Sequence, residues 1–187
     1  MTENIAVTGS FASGKSYVIE KIKQMNYKVF SCDDYVKILY QNINIQNIII
    51  NEIKELEIFD KTKLASIVYN NDQERIKLER IVHPLVKEAI ELFEEENKFE
   101  TLIFTEVPLL FESGFDKYFR NTICVYCTEK TRLARAKARG LNNIGIFEKI
   151  KKIQLPQNIK KQKANFTIDS ENEIEGQLID IIKKILL

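Results

Sequence analysis

One eight-residue segment, Gly9-Ser-Phe-Ala-Ser-Gly14-Lys15-Ser16, constrains this chain more than any other. It fits G-x-x-x-x-G-K-[ST] and lies between the apolar run Asn4-Ile-Ala-Val-Thr8 and a stretch with Val18, Ile19 and Ile22 at helical spacing. That strand, turn and helix context is what gives the pattern its meaning. Glycines let the backbone curl so that successive N–H groups face an anion, and the following helix aims its positive end at the same point. Gly9, Ser10, Phe11, Ala12, Ser13, Gly14, Lys15 and Ser16 are therefore the nucleotide-binding candidates, with Lys15 reaching the β- and γ-phosphates of ATP and the Ser16 hydroxyl binding Mg²⁺. An incidental glycine turn with a surface lysine is the alternative.

The rest of the chain alternates strand and helix. Lys28-Val-Phe30 reads as a second strand ending at Ser31-Cys32-Asp33-Asp34, after which Tyr35, Ile38 and Leu39 take up a helical period. From Thr62 to Asn97 the pattern is helical, with breaks expected at Asn70-Asn71-Asp72 and at His83-Pro84, where Pro84 suits a first helical position and His83 the extended residue before it. Strands follow at Thr101–Thr105, Asn121–Cys127 and Phe166–Ile168. Helices are expected at Thr128–Arg139, Ile146–Ile153 and Asn158–Lys163, and in a C-terminal segment carrying Ile174, Leu178, Ile181, Ile182 and Ile185 on one face. Strands separated by helices imply an α/β fold, a parallel sheet covered on both faces.

Composition excludes several classes. The chain has 187 residues with 28 basic and 27 acidic groups, a net charge of +1. Neither a nucleic-acid arm nor a polybasic membrane anchor is expected from that balance. No apolar run approaches the roughly 18 residues of a membrane span. No basic segment precedes an apolar one at Met1–Asn4, so the expected compartment is the cytoplasm. The length suits one domain, 1–187. Three cysteines make no disulfide framework, and Cys124 and Cys127, three apart on an expected strand, diverge rather than chelate.

A phosphate loop alone leaves kinases, GTPases and mechanical ATPases open. No N-K-x-D segment of the guanine-reading kind occurs, which weighs against a switch GTPase. A small-molecule kinase needs a carboxylate near the acceptor hydroxyl and arginines over the phosphates. Asp33 or Asp34, at the carboxyl end of a strand, supplies such a carboxylate, or else caps the next helix. Glu106 ends an apolar strand as a metal-holding acid does, or is an ordinary strand-end carboxylate. Arg135 and Arg139 share a helical face that either meets phosphates or is solvated, with Arg132 one turn earlier. Gly140-Leu-Asn-Asn-Ile-Gly145 is either a mobile closure or a plain loop. His83 is either an acceptor contact or a helix-entry corner.

These residues, taken with Leu78-Glu-Arg-Ile-Val-His83-Pro84, Glu106-Val-Pro-Leu-Leu-Phe-Glu112, and Gln154 ahead of Lys160 and Ala164-Asn165, resemble the dephospho-CoA kinase family over nearly the whole chain. The resemblance implies transfer of the γ-phosphoryl of ATP, with Mg²⁺, to the ribose 3′-hydroxyl of dephospho-CoA. It implies a five-stranded parallel sheet flanked by helices, a helical acceptor region at about 62–97 and a small lid at about 139–155. It makes Asp33 the catalytic carboxylate beside Lys15, places His83 and Pro108, Leu109 and Glu112 at the acceptor, and sets Arg139 at the lid over ATP. Ser31 stands where the family has the first acid of an Asp-x-Asp pair, Glu106 where it commonly has Asp, and the loop has fewer glycines than usual. A kinase for another nucleoside or small alcohol is the neighbouring reading, and a non-catalytic nucleotide-binding module the more distant one.

Overall fold

The computed structural model describes residues 2–140 and 144–187. Its five strands, β1 (Glu3–Gly9), β2 (Lys28–Ser31), β3 (Leu102–Glu106), β4 (Asn121–Tyr126) and β5 (Phe166–Asp169), form one parallel sheet in the order β2-β3-β1-β4-β5. The register pairs Val7 with Glu106, Ser31 with Glu106 and Gly9 with Val125, so the carboxyl ends of β1, β2, β3 and β4 lie side by side. In parallel sheets that edge is where ligands bind.

Chain packing separates two compact units, Met1–Ser31 with Glu96–Leu187, and Cys32–Glu95. The first holds the sheet and the helices α1 (Lys15–Gln24), α6 (Glu129–Ala138), α7 (Ile144–Ile153), α8 (Gln157–Lys163) and α9 (Ile174–Leu186). Val18, Ile19 and Ile22 of α1 and Ile174, Leu178, Ile181 and Ile182 of α9 recur every three or four residues, which places them on one stripe of each helix. Those stripes pack on Ile5, Val7, Phe104, Ile123, Val125 and Ile168. Ile22 is wholly buried there, and Ile22→Ala removes about 2–5 kcal/mol of stability. Ala6, Thr8, Thr105, Thr122 and Cys124 alternate with these along the strands. Thr105 donates to Asn4 Oδ1 at 2.9 Å within the buried layer.

The second unit contains α2 (Cys32–Leu39), α3 (Ile43–Glu52), α4 (Lys61–Asn70) and most of α5 (Asp72–Glu96). It has its own core of Ile49, Ile53, Leu56, Leu64 and Ile67, edged by Tyr40, Phe59, Leu78 and Ile81. The Asn42 and Asp60 side chains accept from Asn44 and Lys63 N–H groups, at 2.9 and 2.6 Å, and so start α3 and α4. The sequence pattern supplies no element for α3, because a run of β-branched isoleucines reads equally as strand or helix.

One local expectation is overturned. Helix α5 runs unbroken through His83 and Pro84. A proline inside a helix loses one backbone hydrogen bond and clashes with the preceding turn, at about 3 kcal/mol. Here Val82, Val86, Ala89 and Ile90 are all buried along a single face that spans the proline, so tertiary burial outweighs the local penalty. His83 is a mid-helix residue, half-buried, rather than an extended one. The break at Asn70–Asp72 is present.

Candidate active site

The phosphate loop leaves β1 at Gly9. A Cβ on Gly9 would lie 2.6 Å from the Val125 carbonyl oxygen, so the neighbouring strand itself requires glycine. The loop turns with Ser13 N–H donating to Ser10 O at 3.0 Å, and α1 begins after Gly14, whose φ of 99° lies in the left-handed region. Ala12 also has a positive φ, 61°. For alanine that conformation costs on the order of 1 kcal/mol and persists only when its surroundings hold it.

The surroundings are specific. Arg132 Nε donates to Phe11 O at 2.9 Å, Arg135 donates to Ser13 O at 3.1 Å, and Ser170 Oγ donates to the same Ser13 O at 2.5 Å. Arg135 also reaches Ser170 Oγ and its carbonyl, at 2.7 and 3.0 Å. In a trans peptide C=O and N–H point in opposite directions. Drawing the Phe11 and Ser13 carbonyls toward the arginines therefore turns the N–H groups of Ala12 and Gly14 the other way. Arg135, expected on the ATP phosphates, is thus engaged with the backbone that would bind them. Arg139 is exposed at the end of α6, and the adjoining residues 141–143 of the expected closure lie outside the described residues.

At the edge of the loop Lys15 forms an ion pair with Glu106 Oε1, while Ser31 Oγ donates to Glu106 Oε2 at 3.1 Å. A carboxylate at position 31 would repel Glu106; the hydroxyl donates to it instead. Ser16 is exposed in the first turn of α1. Its hydroxyl and the Glu106 carboxylate are hard oxygen donors, the chemistry Mg²⁺ selects, so the residues present fit that ion. Asp33 and Asp34 both lie in the first turn of α2 rather than at its cap, exposed, with Asp34 paired to Lys37 at 2.7 Å.

The segment after β3 divides. Leu109 is 36% exposed, whereas the Pro108 carbonyl accepts from Thr8 Oγ1 at 3.2 Å and from Lys160 Nζ at 3.0 Å. Glu112 Oε1 pairs with Lys160 at 2.8 Å and accepts from Leu155 N–H at 2.8 Å. Lys160 is 0% exposed. In the helical unit burial holds the His83 imidazole below the usual histidine range, against the opposing influence of Glu79. The three cysteines are free and buried, and burial pushes the Cys124 thiol up to about 11.

Comparison with known proteins matches residues 4–176 to the family model for dephospho-CoA kinase. The chain belongs to the dephospho-CoA kinase family. A dephospho-CoA kinase of Rickettsia felis is 39% identical over 97% of this chain and 98% of its own length. A crystal structure of a Thermus thermophilus protein superposes with a TM-score of 0.82 at 26% identity, covering 99% of this chain and 96% of that one. A dephospho-CoA kinase from Campylobacter jejuni gives a TM-score of 0.67 at 27% identity, covering 99% of this chain and 98% of that one.

Within the dephospho-CoA kinase family, the paired departures at Ser31 and Glu106 meet in one hydrogen bond. Ala12, in a loop with fewer glycines than the family usually has, is held at positive φ. Sequence reasoning missed Ser170, for which no local signal exists, and the burial of Lys160, since a lysine in a short basic helix reads as solvated. Gln154 was visible only as part of the family pattern.

Proposed function

We propose that this protein transfers the γ-phosphoryl group of ATP to the ribose 3′-hydroxyl of dephospho-CoA, the closing step of coenzyme A synthesis, as a single kinase domain working in the cytoplasm. The observation that carries the phosphoryl-transfer half is the ion pair of Lys15 with Glu106 beside a loop whose Ala12 and Gly14 N–H groups are turned away from the arginines. The choice of acceptor is supported by the family match over residues 4–176. When ATP binds, Lys15 exchanges its carboxylate partner for the β- and γ-phosphates and offsets charge that develops in transfer. Ser16 and Glu106 would hold Mg²⁺, which neutralises charge shared between the phosphates.

Asp33 orients and takes the proton of the acceptor hydroxyl. Arg139 closes the positive surroundings of the nucleotide, Arg135 supports them by holding the loop at Ser13 O, and Pro108 and Leu109 shape the acceptor side, with His83 the acceptor candidate of the helical unit. Asp33→Asn should lower kcat by about two orders of magnitude with a smaller change in the ATP KM, while Asp34→Asn is milder.

The test is an ADP-release assay across dephospho-CoA, adenosine, AMP and simple sugars. Dephospho-CoA should have the highest kcat/KM, because its remote diphosphate and pantetheine parts contribute binding energy that orients the hydroxyl. Faster phosphorylation of AMP or a free nucleoside would assign the loop to a different small-molecule kinase.

A further inference from the structure

The turn at Ala12 is gripped on its Ser13 side by Arg135 and Ser170. On its other side, besides Arg132, the Phe11 N–H donates to Gln154 Oε1 at 2.8 Å, across 143 positions of sequence. Gln154 follows α7 and is itself half-buried. What fixes it is its neighbour: Leu155 N–H donates to Glu112 Oε1, the oxygen that also pairs with Lys160. Lys160 in turn donates to the Pro108 carbonyl, which Thr8 of β1 holds from the other side. The chain of bonds therefore runs from the central strand through a buried ion pair to the junction of α7 and α8, and back to the loop.

We propose that Gln154 is a positioning residue for the phosphate loop, presented to Phe11 by the buried Lys160–Glu112 pair, and that it holds the left-handed turn at Ala12 in its phosphate-binding shape. A glycine at position 12 would adopt that φ without strain. Alanine needs an external hold, and beside Phe147 of α7, which packs on Ala12, Gln154 supplies one to the backbone from the α7–α8 junction. Without it, the loop samples a relaxed φ at Ala12, and ATP must supply the ordering free energy as it binds, which raises KM more than it lowers kcat.

This inference rests on the loop being a nucleotide site, as proposed above, but not on the identity of the acceptor. Its experiment uses the full chain and three measurements: amide exchange at Phe11 by NMR in the ligand-free protein, ATP binding by calorimetry, and steady-state kinetics. Gln154→Ala should speed exchange of the Phe11 amide and weaken ATP binding by roughly five- to tenfold, the loss of one backbone hydrogen bond. Adding Ala12→Gly to Gln154→Ala should restore most of the ATP affinity while the Phe11 amide still exchanges fast, since glycine keeps the turn without the hold.

Unchanged Phe11 exchange and ATP affinity in Gln154→Ala would overturn the proposal. So would a loss of ATP affinity that Ala12→Gly fails to restore, which would make Gln154 a direct nucleotide contact. If no tested acceptor is phosphorylated yet these binding results hold, the acceptor assignment fails and the positioning role stands.

Discussion

Two lysine–glutamate pairs lie on either side of the segment after β3, and they differ in what else each lysine touches. Lys15 and Glu106 retain 13% and 12% side-chain exposure, and Glu106 has Ser31 as a second partner. Lys160 has none of its side chain exposed, against 14% for Glu112, and is bonded to the Pro108 carbonyl as well as to Glu112, whose Oε1 also takes the Leu155 N–H. A pair with a path to water can trade one anion for another, from carboxylate to phosphate. A lysine sealed among backbone groups cannot, because removing either charge strands the other in a medium that solvates it poorly. The first suits a binding site, the second a joint.

That comparison is easiest to break at Lys15. Lys15→Ala should lower kcat by about two to three orders of magnitude, the scale of losing one preorganised charge at the transferring phosphoryl group, with Tm close to wild type. Near-normal turnover by a well-folded variant would remove the loop from catalysis. At the other pair the weight shifts to stability. Lys160→Met should cost about 3 kcal/mol by leaving Glu112 unpaired, a fall in Tm of about 6–12 °C for a chain of this length. The double change Lys160→Met with Glu112→Gln should recover more than half of that fall in thermal melts, because no lone charge is left. A double variant no more stable than the single would mean the pair is not a coupled unit.

The smallest effect concerns His83, whose imidazole burial holds below the usual histidine range, with Glu79 opposing. Its folded-state pKa is depressed, so the unfolded chain binds the proton more readily. The stability this group contributes is full above the unfolded value near pH 6.5 and is lost as pH falls through the lower folded value. His83→Gln should therefore flatten the decline of Tm as pH falls below about 6.5. A raised dephospho-CoA KM at neutral pH in the same variant would show the imidazole acting on the acceptor as proposed, and an unaltered Tm profile would remove its stability role.

Much of this molecule is legible without coordinates, and the reason is local. Gly9, Gly14, Lys15 and Ser16 sit at fixed spacing between an apolar run and a helical stripe, and strand and helix periods reach only from one residue to its neighbours within four positions. The α1 and α9 stripes, the five strands and the phosphate loop all declare themselves at that range. The tertiary structure decided whatever depends on partners farther away. It made a helix of the isoleucine-rich stretch Ile43–Glu52 by burying Ile49 within a core shared with Leu64 and Ile67. It carried α5 through Pro84 by burying residues on both sides of it. It turned Ser31 from a missing acid into a donor to Glu106, 75 positions away, and brought Gln154 to Phe11. Such bonds leave no periodic trace, since nothing in the chemistry of a glutamine or a serine specifies a partner that only the closed sheet brings within hydrogen-bond distance.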